Sequence, residues 1–171
     1  HGRKDLPWQQ NVSAYRVWIS EIMLQQTQVN TVIPYYSRFL STFPTIELLS
    51  AANEDAVLHL WTGLGYYARA RNLHKTAKLL MRDFNGEFPM SVAELTDLPG
   101  IGRSTAGAIV SICSNQPAVI LDGNVKRVIA RCFAIDGWPG QTRVANQLWD
   151  KASELTPVKR VADYTQAIMD L

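Results

Sequence analysis

The sequence predicts an all-α protein, and three features of its 171 residues support this fold class. Apolar residues recur three or four positions apart over stretches of helix length, as they do on the buried face of an amphipathic helix. The segments between these stretches are short and rich in residues typical of turns. No stretch shows the alternation of apolar and polar residues that a half-buried strand requires. We therefore expect nine or ten helices and no sheet.

The predicted helices follow one another along the chain with recognisable starts and ends. Residues 17–24 and 29–40 keep the helical spacing of apolar side chains, and Pro34 predicts a kink or a first turn within the second stretch. Asn53 precedes two acidic residues and predicts a helix start. Residues 66–84 form a long amphipathic pattern that ends at an asparagine and a glycine. The remaining predicted helices occupy residues 45–52, 53–64, 91–98, 104–113, 124–135, 142–155 and 159–171.

The composition indicates a folded chain without a strong overall charge. It is 47% hydrophobic and 19% charged, with a net charge of +2, so any anionic partner must be bound by local patches. The two cysteines, Cys113 and Cys132, form no metal-binding pattern with each other or with histidine, and we expect reduced thiols. No stretch is apolar enough for a membrane span, and no signal peptide is evident. Because the chain starts without methionine and stops within a helical pattern, we expect it to be a fragment.

The turn LPGIGRS at residues 98–104 predicts a helix–hairpin–helix motif. Gly100 and Gly102 allow a positive φ and remove side-chain bulk. The following helix then presents its free N–H groups, which bind anions such as phosphate, and Arg103 adds positive charge. A plain corner between two helices is the alternative. The whole string LPGIGRSTAGAIV favours phosphate binding, which would position a nucleic-acid backbone without reading its sequence.

The hairpin string resembles the helix–hairpin–helix DNA glycosylases of the endonuclease III superfamily. Three other stretches resemble the adenine-specific, MutY-type branch of that superfamily: SEIMLQQTQV at 20–29, LWTGLGYYARARNL at 60–73 and ILDGNVKRV at 120–128. The resemblance implies an all-α fold with two lobes and a cleft between them.

The resemblance also divides the chain into lobes. A six-helix barrel lobe is expected over residues 6–116, with the hairpin motif at about 91–110. A partial second lobe is expected over residues 117–171, together with residues 1–5. In the family, four cysteines beyond the hairpin lobe hold a [4Fe–4S] cluster. Since this chain stops before such cysteines, and lacks the family's C-terminal domain, we expect no metal, weak DNA affinity and little or no turnover from it.

The activity implied by the resemblance is base excision repair. The bond to be hydrolysed is the N-glycosidic bond of an adenine that is mispaired with 8-oxoguanine or guanine and flipped out of the duplex. Glu21 matches the family's general acid, and its apolar neighbours are expected to raise its pKa. Asp122 matches the carboxylate that stabilises the cationic sugar, and Asn124 matches a residue near the sugar. The alternatives are a solvated glutamate at 21, a helix N-cap at 122 and a turn residue at 124.

Ser104 distinguishes between two reactions. Relatives that also cleave the DNA strand have a lysine here, whose amine forms a Schiff base with the sugar. Serine cannot form one, so the resemblance implies a monofunctional glycosylase. A bifunctional glycosylase/lyase and a non-catalytic DNA-binding helical module remain the alternatives.

Several further residues match positions that open the duplex or hold the base. Gln25, Gln26 and Tyr66 match residues that fill the gap beside the oxidised guanine, whereas Leu24 and Trp8 match the adenine pocket; core packing is the alternative for the aromatic and leucine side chains. The expected partner is double-stranded DNA bound by a monomer inside the cell, in the bacterial cytoplasm or the eukaryotic nucleus or mitochondrion. Basic residues that could contact phosphates are Arg69, Arg71, Lys75, Lys78, Arg82, Lys126, Arg127 and Arg131.

Overall fold

The computed structural model describes residues 5–171, and it confirms the predicted fold class. The described residues form ten α-helices, one short 3₁₀ helix at Pro7–Gln9 and no strand. Residues 1–4, which were assigned to the second lobe, lie outside the described residues. The helices are α1 (Ala14–Leu24), α2 (Val29–Thr42), α3 (Ile46–Ala51), α4 (Glu54–Trp61), α5 (Ala68–Phe84), α6 (Val92–Thr96), α7 (Arg103–Ser114), α8 (Gly123–Cys132), α9 (Thr142–Leu155) and α10 (Val161–Met169).

The larger hydrophobic cluster surrounds α1. Seven of the eleven residues of this helix are buried, so α1 lies inside the protein, where a helix is apolar on most of its faces. Buried aromatic rings dominate the cluster, and Phe39 meets Trp61 edge-to-face at 6.1 Å between ring centres. Burying one large apolar side chain contributes about 1.5–3 kcal/mol. The position of α1 is therefore set by the main core of the molecule.

The smaller hydrophobic cluster consists of side chains from α8, α9, α10 and residues 120–121 just before α8, which pack on α7. Helix α7 belongs to both clusters, because Ala108 lies in the smaller one and Ile109 in the larger one. Because α7 contributes to both clusters, the clusters do not divide the chain at one position. The expected boundary between residues 116 and 117 therefore stays a prediction. None of the helices among the described residues has the length and apolarity needed to cross a membrane.

Local sequence signals are largely reproduced. Asn53 caps α4 by accepting a hydrogen bond from the Ala56 N–H at 2.7 Å. Helix α5 ends before Asn85, which adopts the left-handed conformation at φ 52°. Pro34 lies inside α2 and not in its first turn. Helix α5 begins at Ala68, two residues later than predicted, because Tyr66 is left-handed at φ 51°.

The two glycines of the hairpin have different roles. Gly100 has φ +78°, and a Cβ there would lie 2.9 Å from Asn72 Cβ on α5, so both the conformation and the contact require glycine. Gly102 does not use the freedom to adopt a positive φ, since its φ is −86°. Gly102 is the extended N-cap of α7, and a Cβ there would meet open space. Its lack of a side chain leaves the N-terminus of α7 uncovered.

Candidate active site

A cleft with a volume of about 750 Å³ opens beside α1, and most of the residues singled out in the sequence line it. One wall consists of α1 and residues 24–29, and the other consists of the starts of α7 and α8 and the end of α10. The volume lies within the usual range of small-molecule sites, about 300–1,000 Å³. The predicted site residues in the lining are Trp8, Glu21, Leu24, Gln25, Gln26, Ser104, Asp122 and Asn124.

Glu21 lies on the face of α1 that borders the cleft, where it keeps partial access to solvent. Burial raises the pKa of Glu21 from 4.5 to about 7, and repulsion by the Asp122 carboxylate adds to the rise. The carboxyl group is therefore about half protonated near neutral pH. A group in this state can donate a proton to a bound base and accept one later.

Asp122 faces the same cleft from the start of α8. Its Oδ1 accepts a hydrogen bond from the Val125 N–H at 2.8 Å, which confirms that it is the N-cap of this helix. The cap fixes the side chain at the cleft wall while its second oxygen has no bond to the helix in this arrangement. The N-cap interpretation and the proposed catalytic role are thus compatible in one residue.

The segment before Asp122 is held directly against α7. A Cβ at Gly107 would lie 2.3 Å from the Val119 carbonyl oxygen, so only glycine permits this approach of two backbones. The Ser104 hydroxyl accepts a hydrogen bond from the Leu121 N–H at 3.0 Å. Ser104 therefore lines the cleft and also fixes the backbone immediately before Asp122.

Asn124 joins α8 to α10 at the edge of the cleft. Its side-chain nitrogen donates to the Met169 carbonyl oxygen at 3.0 Å, and its Oδ1 accepts a hydrogen bond from the Arg127 guanidinium. Arg127, which the sequence placed only among the basic residues, also lines the cleft. It reaches the cleft because it lies one turn after Asn124 on the same helix.

The remaining candidate residues lie in or around the cleft. The ring of Trp8 lines it and meets Tyr36 edge-to-face at 5.3 Å, so packing and pocket lining coexist. Tyr66, Gly100, Gly102 and Arg103 lie outside the lining. The side chain of Tyr66 is 61% exposed, which makes it available to a partner.

Arg103 has a contact that the sequence did not predict. Its guanidinium carbon lies 3.9 Å from the centre of the Trp149 ring, a favourable cation–π distance. This contact joins the first turn of α7 to α9. It keeps the charge close to the uncovered N-terminus of α7.

The basic residues of α5 are not equivalent. Arg69, one of the basic residues that could contact phosphate, instead points its guanidinium into the protein and bonds to backbone carbonyls. Arg71 forms an ion pair with Glu54 at 3.7 Å on the surface, and Arg82 pairs with its neighbour Asp83.

The described residues do not fit an iron–sulfur cluster, which requires four ligands that are usually thiolates. Within residues 5–171 no group of three or more histidine, cysteine, aspartate or glutamate side chains could hold a metal ion. Cys113 is half-buried, and burial raises the pKa of its thiol to about 11, whereas Cys132 is exposed on α8.

Comparisons with known proteins show which protein family the chain is similar to. The model of a family described as the HhH-GPD superfamily of base excision DNA repair proteins matches residues 19–154. The adenine DNA glycosylase of Buchnera aphidicola subsp. Baizongia pistaciae is 52% identical over 99% of this chain and 48% of its own length. The human adenine DNA glycosylase is 43% identical over 99% of this chain and 33% of its own. The chain thus spans about half the length, or less, of the curated relatives it matches.

Solved structures share the fold. A thermostable thymine-DNA glycosylase superposes with a TM-score of 0.86 at 27% identity, covering 98% of this chain and 77% of its own. Endonuclease III in a non-covalent DNA complex superposes with a TM-score of 0.82 at 23% identity, covering 98% and 76%.

Proposed function

The chain belongs to the HhH-GPD superfamily of base excision DNA repair proteins, and we propose that it removes adenine mispaired with 8-oxoguanine or guanine from double-stranded DNA. The observation that carries this proposal is the meeting of Glu21 and Asp122 in one cleft, with the pKa of Glu21 at about 7. The relatives named adenine DNA glycosylase, which match nearly the whole chain, support the choice of base. Such an activity operates inside the cell, where the DNA is.

In the proposed reaction Glu21 acts first as a general acid. The extruded adenine enters the cleft, and Glu21 donates its proton to the base, at N7 as the family resemblance implies. The bond between C1′ of the sugar and N9 of adenine then breaks, and its electron pair leaves with the protonated base. General acid catalysis of this kind typically contributes about 10²–10⁴-fold to the rate.

Asp122 faces the sugar in the same scheme. Breaking the bond leaves positive charge on C1′ and the ring oxygen, which an ionised carboxylate stabilises. Water attacks C1′, and its proton passes to the Glu21 carboxylate, which restores the acid. A general acid at Glu21 and a second carboxyl group at Asp122 can divide these tasks.

The hairpin offers a binding site for the DNA backbone. Gly102, the N-cap of α7, has open space where a side chain would stand, and the next residue, Arg103, adds a positive charge beside the first N–H groups of the helix. These groups suit a phosphate of the DNA backbone.

Release of adenine from defined duplexes tests the proposal. With protein in excess, we expect adenine to be released from duplexes that contain adenine opposite 8-oxoguanine or guanine, and none from the same sequence with adenine opposite thymine. A single-turnover assay separates the chemical step from product release. If the protein binds the mispaired duplexes but releases no adenine at saturation, the chain is a DNA-binding module without glycosylase activity.

A second experiment tests whether the reaction includes strand cleavage. No lysine within residues 5–171 lines the cleft, and the Ser104 hydroxyl is bonded to the Leu121 N–H. We therefore expect that borohydride added during turnover traps no covalent protein–DNA adduct, because none of the described cleft residues carries an amine that could form a Schiff base. A trapped adduct on a denaturing gel would instead support the bifunctional glycosylase/lyase.

A further inference from the structure

The guanidinium of Arg69 is bonded to two separate segments of the chain, residues 22–27 and residues 64–65. Arg69 lies in the first turn of α5, and its two terminal nitrogens donate six hydrogen bonds of 2.5–3.3 Å. Nη1 bonds to carbonyl oxygens at the end of α1 and just beyond it, and Nη2 bonds to the Thr27 hydroxyl and to the turn before α5. All six acceptors are neutral: the carbonyls of Ile22, Met23, Gln25, Leu64 and Gly65, and the hydroxyl of Thr27.

These bonds stabilise the end of α1. The last carbonyls of a helix have no partner within it, and they form the negative end of the helix dipole. Many helices satisfy such groups with a left-handed glycine after the last turn. Here Gln25 follows α1 with φ −58°, and the Arg69 cation takes the place of a glycine cap. Arg69 therefore fixes the C-terminal end of the helix that carries Glu21.

Gln26 and Tyr66, here called the opening pair, both have a left-handed backbone, with φ of 57° and 51°. Such a conformation costs roughly 1–2 kcal/mol for a residue other than glycine, and it persists where the surrounding structure holds it. The carbonyl of Gln25 belongs to the peptide group immediately before Gln26, and the carbonyl of Gly65 belongs to the one immediately before Tyr66. Arg69 bonds to both carbonyls, so one side chain holds both peptide groups in place.

The side chains of the opening pair are also close to Arg69 or to the cleft. The Tyr66 ring centre lies 5.4 Å from the Arg69 guanidinium carbon, and Gln26 is exposed at the cleft. The Trp61 ring lies 5.5 Å from the same guanidinium, and its Nε1 donates to the Gly65 carbonyl at 3.1 Å. The opening pair is thus exposed at its side chains and anchored at its backbone.

We propose that Arg69 is a positioning residue that holds Gln26 and Tyr66 as a rigid pair for insertion into the duplex when the target base leaves the stack. This inference rests on the proposed function. Extruding a base costs a few kcal/mol, and a pair that is already ordered adds little entropy loss to that step. Binding of an undamaged duplex does not need Arg69, because its guanidinium is bonded within the protein.

The test compares Arg69→Met and Arg69→Lys with Arg38→Met, which removes an exposed arginine from α2 that does not line the cleft. All three changes are made in a Glu21→Gln background, so that the base is not removed. The probe is 2-aminopurine opposite 8-oxoguanine, whose fluorescence rises when it leaves the stack. At saturating protein we expect Arg69→Met and Arg69→Lys to lower the rise about tenfold and Arg38→Met to leave it unchanged. Affinity for an undamaged duplex is expected to stay within about twofold.

Two results would overturn the inference. One is a full fluorescence rise with either Arg69 variant, which would show that the six bonds are not needed for opening. The other is a loss of affinity for the undamaged duplex that equals the loss for the mispaired duplex, together with a smaller salt dependence of binding. This is the behaviour expected when a phosphate contact is removed. Circular dichroism establishes that each variant is folded, and Arg69→Lys carries the test if Arg69→Met does not fold.

A measurement without DNA separates this inference from the proposed function. If the protein with Arg69 intact gives no fluorescence rise, the proposed function fails. Amide hydrogen exchange of the free protein then tests the positioning role. We expect Arg69→Met to accelerate exchange in residues 25–27 and 64–67 and not in α8, whereas unchanged exchange in both turns would overturn the inference.

Discussion

Replacing Glu21 with glutamine is expected to reduce the single-turnover rate of adenine release by about 100- to 10,000-fold, the range that general acid catalysis supplies. Glutamine has nearly the same shape as glutamic acid but no proton of suitable pKa to donate. The measurement is release of labelled adenine from a duplex with adenine opposite 8-oxoguanine, with protein in excess. Release at an undiminished rate would show that another group is the acid.

A stability measurement shows whether the lost rate reflects chemistry or unfolding. Because the pKa of Glu21 is higher in the folded protein, at about 7, than its ordinary value of 4.5, the folded state holds this proton more tightly. The favourable contribution is complete below about pH 4.5 and is lost as the pH rises through 7. At pH 8 the ionised group costs up to about 3 kcal/mol, since one unit of pKa corresponds to about 1.4 kcal/mol.

The glutamine variant has no such charge to bury. We therefore expect it to be more stable than the parent at pH 8, by up to about 3 kcal/mol, and the difference to shrink as the pH approaches 4.5. A variant that loses adenine release while it gains stability has lost a catalytic group. A variant that loses both would contradict the assignment of Glu21 as a buried acid.

The features of the site that were predicted best from the sequence depend only on residues within the same helix. The apolar residues around Glu21 indicated its raised pKa, because seven of the eleven residues of α1 are buried. The turn LDGN predicted Asp122 as an N-cap, since the bond to Val125 needs no distant residue. The all-α fold class followed from helical spacing in the same way.

Interactions between distant parts of the chain could not be predicted from local pattern. Arg69 was indistinguishable from other basic residues on an amphipathic helix, and its acceptors at Ile22 and Met23 lie more than forty positions away. The bond from the Leu121 N–H to Ser104 likewise depends on how α7 packs. Tyr66 was placed inside a helix, because its aromatic ring fits that pattern and its left-handed backbone is imposed by the turn.

Replacing Asp122 with asparagine is expected to lower the single-turnover rate of adenine release by about 100- to 1,000-fold, the range measured when one preorganised hydrogen-bond donor that stabilises a transition-state charge is removed. Asparagine is among the best N-cap residues, so the bond to the Val125 N–H and the stability of α8 are expected to persist. The measurement pairs the release rate with thermal unfolding of the same sample. A loss of rate with an unchanged Tm would show that the rate depends on the charge of Asp122 and not on its capping hydrogen bond.

The same variant tests whether the two carboxyl groups act together. Asp122 raises the pKa of Glu21 by repulsion, in addition to the larger effect of burial. Without that charge, the pH above which residual release declines is expected to move downward from about 7. Asp122→Ala serves as the control, because it also removes the cap and is expected to cost about 1 kcal/mol of stability. If Asp122→Asn keeps the full rate and the same pH profile, Glu21 catalyses the reaction without the Asp122 charge, and the only role of Asp122 is to cap α8.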